Sequence, residues 1–183
     1  MLYGGVHVLF NNAGGGVREQ FPAESDDGWE RVLRSNLTGT FLMCRAVWPH
    51  LLTAGGGAII NMSSTAAVAG ITDALLAAAQ AIPSASYFAA KAGIEAFTRY
   101  IAGIGAPHNI RVNCVRPGQI LTQRLTIETG EHRYKGLFDV VQMLKEPGRP
   151  EDVANAVLFL ASADARFITA EIMNIDGGSA VKI

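Results

Sequence analysis

Cysteine, histidine and charge are all scarce in this chain. Two cysteines, Cys44 and Cys114, occur in 183 residues, both in apolar surroundings and without metal-type spacing. They are expected to be free, buried thiols of a reducing compartment, which excludes a disulfide framework. A catalytic cysteine lacks an obvious partner base. The four histidines, His7, His50, His108 and His132, share no ligand spacing, so no metal site is expected. Fifteen basic residues face 16 acidic ones, a net charge of −1. That balance excludes a nucleic-acid or membrane-surface role driven by bulk charge. The start, "MLYGG", has neither the basic flank nor the apolar stretch of a signal peptide. The longest apolar run, "AAVAGITDALLAAAQAI" at 66–82, is Ala-rich and carries Asp73 and Gln80. It is marginal in length for a bilayer. A soluble, cytoplasmic protein is expected.

What is present is a core. Apolar residues make up 49% of the chain, enough for one domain. The segments alternate in type. "VHVLFNNAGGG" reads as a strand entering a glycine-rich turn. "SDDGWERVLRSNLTGTFLMCRAVWPHLL" has helical spacing through Trp29, Val32, Leu33, Leu37 and Phe41, with Ser25 as N-cap and Asp26 and Asp27 in its first turn. "AGGGAIINMSS" is a turn feeding a second strand. "ASYFAAKAGIEAFTRYIAGIG" is a second helix, closed by Gly103, Gly105 and Pro107. "NIRVNCVRPG" is a third strand. "RPEDVANAVLFLAS" is a third long helix with Pro150 suited to its first turn. "EIMNIDGG" is a last short strand.

This alternation predicts a parallel sheet with crossover helices. "VHVLF" and "AII" are nearly continuous apolar runs, as in strands covered on both faces. Ligands of such sheets sit at the carboxyl ends of strands. Those ends read "NNAGGG", "MSS" and "RPGQIL".

"SASYFAAKAG" places a phenol and an amine four positions apart, on one helical face among small residues. Taken alone, Tyr87–Lys91 is an ordinary pair worth about 0.2–0.5 kcal/mol. Ser63 and Ser64 alone are a simple cap or turn. Asn36, inside an apolar helical stretch, is expected to be buried and hydrogen-bonded. "GGG" at 55–57 precedes a strand and is read as a turn, as is Asp176–Gly177–Gly178. Trp29, Trp48 and Phe97 are read as core or interface packing.

The ordered set is more specific: "NNAG" after a strand, Asn36 in the next helix, "NMSS", "YFAAK", "PGQILT" and a closing "DGG". It resembles the short-chain dehydrogenase/reductase family, from Val6 to Gly178. The resemblance implies an α/β fold, a Rossmann-type doubly wound parallel sheet, and an oxidoreductase that moves hydride between NAD or NADP and a carbonyl or secondary alcohol. It assigns Tyr87 as general acid/base and Lys91 as the cation that lowers the phenol's pKa and holds the nicotinamide ribose. Ser64 would bind the substrate oxygen, with Ser63 as the alternative. Asn36 would complete the catalytic set by fixing its helix and a water path towards Lys91. Asn12, Ala13 and Gly14 would line the adenosine side of the cofactor. Pro117, Gly118, Ile120 and Thr122 would cradle the nicotinamide. No metal is implied. The family also implies a homodimer or homotetramer, with the helices at 26–53 and 86–104 packing across subunits.

The chain departs from the family pattern in three places. The first strands and the glycine-rich dinucleotide turn are missing before Val6. A partial domain over 1–183 is therefore expected, with "VHVLF" as an exposed edge, and NAD cannot be told from NADP. The alternative function is a catalytically silent fragment that acts by pairing with other subunits. The spacing from Ser64 to Tyr87 is long, and "DALLAAAQAIPS" within 65–86 reads as an excursion near the substrate mouth. Ala170 stands where the family usually has Gly. The polar segment 123–147, with Leu125, Ile127, Leu137, Phe138, Val141 and Met143 among Arg124, His132, Arg133 and Lys135, is expected to be a substrate lid.

Overall fold

The computed structural model describes residues 4–78, 82–123 and 135–179. Four parallel strands form one sheet in sequence order: β1 (Val8–Asn11), β2 (Gly57–Met62), β3 (Ile110–Pro117) and β4 (Ile172–Ile175). The register pairs Phe10 with Ile60, Ile60 with Asn113, and Cys114 with Ile172.

Helices cover both faces. Between β1 and β2 run α1 (Asp26–Leu33), a π-helical segment (Arg34–Thr38) and α2 (Gly39–Thr53). Between β2 and β3 lie the short α3 (Asp73–Ala78) and the long α4 (Ala85–Gly105). Between β3 and β4 lie α5 (Lys135–Val141) and α6 (Pro150–Ala161). On one face Cys44, Val47 and Leu51 of α2 and Ile101 of α4 close over Ile59 and Val112, with Trp48 and Phe97 packed against them. On the other, Val153 and Leu160 of α6 cover Ala58, Ile60 and Val115. Trp29 is 40% exposed and belongs to neither cluster.

Local chemistry accounts for the ends. Ser25 caps α1 by accepting the Gly28 N–H at 3.1 Å, and Asp26 and Asp27 stand beside the positive helix start. Helix α2 ends in a Schellman turn. Gly56 N–H bonds Leu51 O, Gly55 N–H bonds Leu52 O, and Gly55 has φ +78°. That turn, not a phosphate loop, is what "GGG" at 55–57 builds. Gly177 (φ +60°) and Gly178 (φ +77°) make the closing turn after β4. The Arg111 guanidinium reaches the last carbonyls of α6, bonding Leu160 O at 2.7 Å and Ser162 O at 3.1 Å.

β1 lies at the sheet edge and is exposed on one face: Val8 is 48% and Phe10 37% exposed. Ile59 and Ile60 of β2, by contrast, are fully buried.

The excursion after Ser64 contains a 3-10 turn at Thr65–Ala67, then α3, which packs against α5. Gln80 and Ala81 lie outside the described residues. Of the expected lid, 124–134 lies outside them too, with Arg124, Leu125, Ile127, His132 and Arg133, as do the side chains of Leu137 and Phe138.

Ala170 has φ +63°, in the left-handed region, where its N–H bonds Val112 O at 2.8 Å. A Cβ is strained there and glycine is not. Ala170→Gly is expected to stabilise the chain by about 1 kcal/mol. The check is a urea midpoint that rises at unchanged m-value; an unmoved or lower midpoint would count against strain at this turn.

Candidate active site

Helix α4 begins beside the carboxyl ends of β2 and β3. Glu24, from the loop before α1, holds its first turn by accepting both the Ser86 hydroxyl and, at 3.3 Å, the Ser86 N–H. A carboxylate there satisfies free N–H groups and complements the helix dipole. This fixes the turn that carries Tyr87, which is half-buried.

Lys91 follows one turn later and is 3% exposed. Its Nζ donates to Met62 O at 2.9 Å and lies 5.4 Å from the centre of the Tyr87 ring. Burial pulls its pKa down to about 8. Cys114 acts in the opposite direction, but its own thiol is pushed by burial to about 12 and is neutral near pH 7. Glu95, one further turn along α4, is paired with Arg116 rather than with Lys91. Among the described residues, no carboxylate is paired with this ammonium, which stands beside the phenol. Phenolate is the anion it can favour.

Asn36 is fully buried in the π-helical segment, where Gly39 N–H reaches back to Arg34 O. The widened turn frees backbone groups, a common device at functional sites. Asn36 Nδ2 donates to Val32 O at 2.9 Å and Gly15 O at 2.8 Å, and Oδ1 accepts Gly15 N–H at 3.2 Å. The side chain therefore clamps the glycine turn after β1. No side chain fits at Gly14: a Cβ there would lie 2.4 Å from Asn36 Oδ1 and 3.7 Å from Lys91 Nζ. Asn36 O accepts the Thr40 hydroxyl at 2.7 Å.

The two serines diverge. Ser63 is 2% exposed, and its hydroxyl lies 2.7 Å from Glu95 Oε1 and 3.2 Å from Lys91 O. Ser64 is half-buried beyond the end of β2, and its Oγ accepts Ala66 N–H at 3.2 Å. Accepting that bond leaves its O–H proton to donate.

Asn12 and Ala13 are exposed beside Gly14. Pro117 ends β3, and Gly118 N–H bonds Ile175 O at 2.9 Å. A Cβ on Gly118 would lie 2.8 Å from Asp176 Cβ, so this approach also requires glycine. The loop through Ile120 and Thr122 is pinned by Leu121 N–H to Gly148 O at 2.7 Å. Ile120 lines a cleft of about 370 Å³ with Gln142, Gly148, Asn174 and Asp176. Tyr87, Lys91 and Ser64 do not line that cleft. The structure thus gathers Asn36, Gly14, Tyr87 and Lys91 at one place and sets Ile120 towards β4.

Glu24, Glu95 and Arg116 escape a motif reading. Glu95 carries the one signal that could have marked it: it continues the four-residue spacing of Tyr87 and Lys91 on the same face.

Comparison with known proteins supplies a family. A family model described as "Enoyl-(Acyl carrier protein) reductase" matches residues 2–180. A 3-oxoacyl-[acyl-carrier-protein] reductase of Chlamydia pneumoniae is 38% identical over 173 residues, covering 94% of this chain and 65% of that protein. A short-chain type dehydrogenase/reductase from Mycobacterium ulcerans superposes with a TM-score of 0.85 at 25% identity, over 98% of this chain and 62% of that one. A 3-oxoacyl-[acyl-carrier protein] reductase from Brucella melitensis, solved with bound NAD, gives a TM-score of 0.79 at 31% identity, over 94% and 62%. The chain thus spans less than two thirds of the length of each of these relatives. A family match across nearly all of these residues, on a four-stranded parallel sheet with helices on both faces, means that the chain belongs to the short-chain dehydrogenase/reductase family.

Proposed function

We propose that the chain carries the catalytic part of an NAD- or NADP-dependent oxidoreductase acting on a carbonyl or secondary alcohol. One observation carries this reading: a buried Lys91 ammonium, with no carboxylate partner among the described residues, 5.4 Å from the ring of Tyr87 and beside strand ends that expose backbone. The cofactor reading fits two features of the chain. Gly14 and Gly118 bring bare backbone to positions where a Cβ would collide, and Lys91 lies under the first of them. Asn12, Ala13, Gly14, Pro117, Gly118, Ile120, Thr122, Tyr87 and Lys91 would hold the nucleotide, which when bound supplies the hydride exchange.

The protein's own part is proton control. Tyr87 delivers a proton to the substrate oxygen during reduction and accepts it during oxidation. An ordinary phenol has a pKa of about 10 and is a poor base at neutral pH. The Lys91 cation corrects this by favouring phenolate. Ser64, with a hydroxyl proton to give, orients the substrate oxygen; Ser63 is spent on Glu95 and Lys91. Asn36 holds the glycine turn through its side-chain amide and would fix a water path towards Lys91. Among the described residues of the 123–147 segment, α5 packs against α3.

The partner is a small molecule, and assembly is a homodimer or homotetramer. The outer faces of α2 and α4, with Phe41, Met43, Tyr100 and Ile104 exposed, offer the apolar contact surface. Buried free thiols at Cys44 and Cys114 suit the cytoplasm. Among the described residues, no helix is long and apolar enough to cross a membrane. A second reading, action by pairing with other subunits without catalysis, is favoured by the exposed Val8 and Phe10 of the edge strand β1.

Titration with NADH and NADPH, followed by nucleotide fluorescence, separates the two. Saturable binding is expected. A folded chain that binds neither nucleotide would favour pairing.

A further inference from the structure

Glu95 is 4% exposed and sits one helical turn beyond Lys91. Arg116 meets its carboxylate through two parallel bonds, Nε to Oε1 at 2.7 Å and Nη2 to Oε2 at 2.6 Å. The Ser63 hydroxyl lies 2.7 Å from Oε1 and 3.2 Å from Lys91 O. Arg116 Nη1 continues to Asn174 Oδ1 at 3.0 Å. Each partner adjoins a different part of the candidate site. Ser63 precedes Ser64 at the end of β2. The Lys91 carbonyl belongs to the turn that bears the phenol and the amine. Arg116 precedes Pro117–Gly118 at the end of β3. Asn174 lies in β4, two residues before Asp176, against which Gly118 packs.

We propose that Glu95 is a positioning residue, the hub through which Arg116 and Ser63 hold Ser64, the Tyr87–Lys91 turn and the Pro117–Gly118 backbone in one fixed arrangement. The proposal rests on the oxidoreductase reading above, whose groups it aligns. Its warrant is where the pair stands. Burying a carboxylate and a guanidinium together is a weak route to stability, and apolar side chains of similar volume do as well or better. Their use here, with each hydrogen bond leading to a different site-bearing segment, supplies registry that apolar contacts cannot. A bidentate guanidinium–carboxylate pair fixes angle as well as distance. Neither Glu95 nor Arg116 need touch substrate: they act through Ser63, the α4 backbone and the strand end.

The test uses the full chain with uniform ¹⁵N labelling and three variants: Glu95→Gln, Arg116→Met, and the double variant Glu95→Leu/Arg116→Met. Amide shifts of Ser64, Lys91 and Gly118 are followed, with Trp48 and Leu160 as remote references, beside kcat and KM. Arg116→Met is expected to move the Ser64 and Lys91 amides as well as Gly118, because its effect passes through the Glu95 carboxylate. Turnover of both single variants should fall about tenfold or more with KM nearly unchanged, as misplacement of reacting groups predicts. The double variant, with charges removed in pairs, should fold, retain Trp48 and Leu160 shifts, and show the same loss.

Arg116→Met shifts confined to Gly118, Asn174 and their neighbours would overturn the hub. So would a folded double variant with parental Ser64 and Lys91 shifts and parental kcat. Failure of all three variants to fold would make the pair a folding element and would also overturn it. Absence of turnover in the parent chain would instead count against the oxidoreductase reading, and the amide shifts would still decide the hub.

Discussion

Tyr87→Phe is expected to lower turnover by a factor on the order of 10²–10⁴, the usual contribution of a positioned acid/base, and to leave nicotinamide binding largely intact. The expectation follows from what the substitution removes. Phenylalanine keeps the ring whose centre lies 5.4 Å from Lys91 Nζ, so the contact over the aromatic face survives. The Tyr87 N–H bond to Ser84 O at 3.1 Å is a backbone bond and is untouched. Only the ionisable oxygen is lost. Steady-state rates and a nucleotide fluorescence titration on the same preparation provide the check. Turnover retained in Tyr87→Phe would remove the phenol from the acid/base role; turnover and binding lost together would show that the tyrosine holds the site's shape.

Lys91→Met is expected to remove the same activity while making the chain more stable. The ammonium is 3% exposed, and burial lowers its pKa from 10.5 to about 8. At pH 7 it is charged in both the folded and the unfolded chain, so folding must desolvate it. Each pKa unit corresponds to about 1.4 kcal/mol. After allowing for the lost bond to Met62 O, Lys91→Met should gain roughly 2 kcal/mol at pH 7. The pH dependence has a definite sign. Between about 8 and 10.5 the unfolded chain binds more protons at this group than the folded chain, so its contribution to stability rises with pH across that window. Below about 8 the penalty is constant. Urea midpoints at pH 7 and pH 10 for both proteins isolate the effect, since the other titrating groups are common to both. The gap between variant and parent should narrow at the higher pH. A gap that does not change with pH would mean that Lys91 is not held as a desolvated cation. Loss of stability on forming Lys91→Met would show that its bond to Met62 O and its contact with the Tyr87 ring outweigh desolvation. A site that stabilises phenolate by burying a cation trades stability for chemistry.

Much of the architecture follows from local pattern. Apolar runs bounded by glycine turns and alternating with periodic segments lead to a parallel sheet. The caps at Ser25 and Gly55 are short-range chemistry, complete within a few residues. The four-residue spacing of Tyr87 and Lys91 places both on one face of any helix that contains them, and the ordered motifs around them point to the family. The exposure of β1 is a different matter. Apolar content reports what a strand tolerates, whereas the exposure of Val8 and Phe10 is a property of the folded sheet.

Of the site, the sequence alone determined which groups can do the chemistry: a phenol, an amine, two serines, an amide and bare glycine backbone at strand ends. Only the tertiary structure decided how they are used. It turned Ser63 inward to Glu95 and left Ser64 half-exposed, a choice that two adjacent serines do not reveal. It bound Asn36 to Gly15, 21 residues away, through a π-helical turn with no local signature. It put Ala170 into a conformation that glycine would occupy without strain. It also gave Glu95 to Arg116, also 21 residues away, rather than to Lys91 beside Tyr87. The reason is common to all four. Periodicity and capping energies act over one or two turns, whereas burial and pairing of a charge depend on which segments the completed sheet brings together.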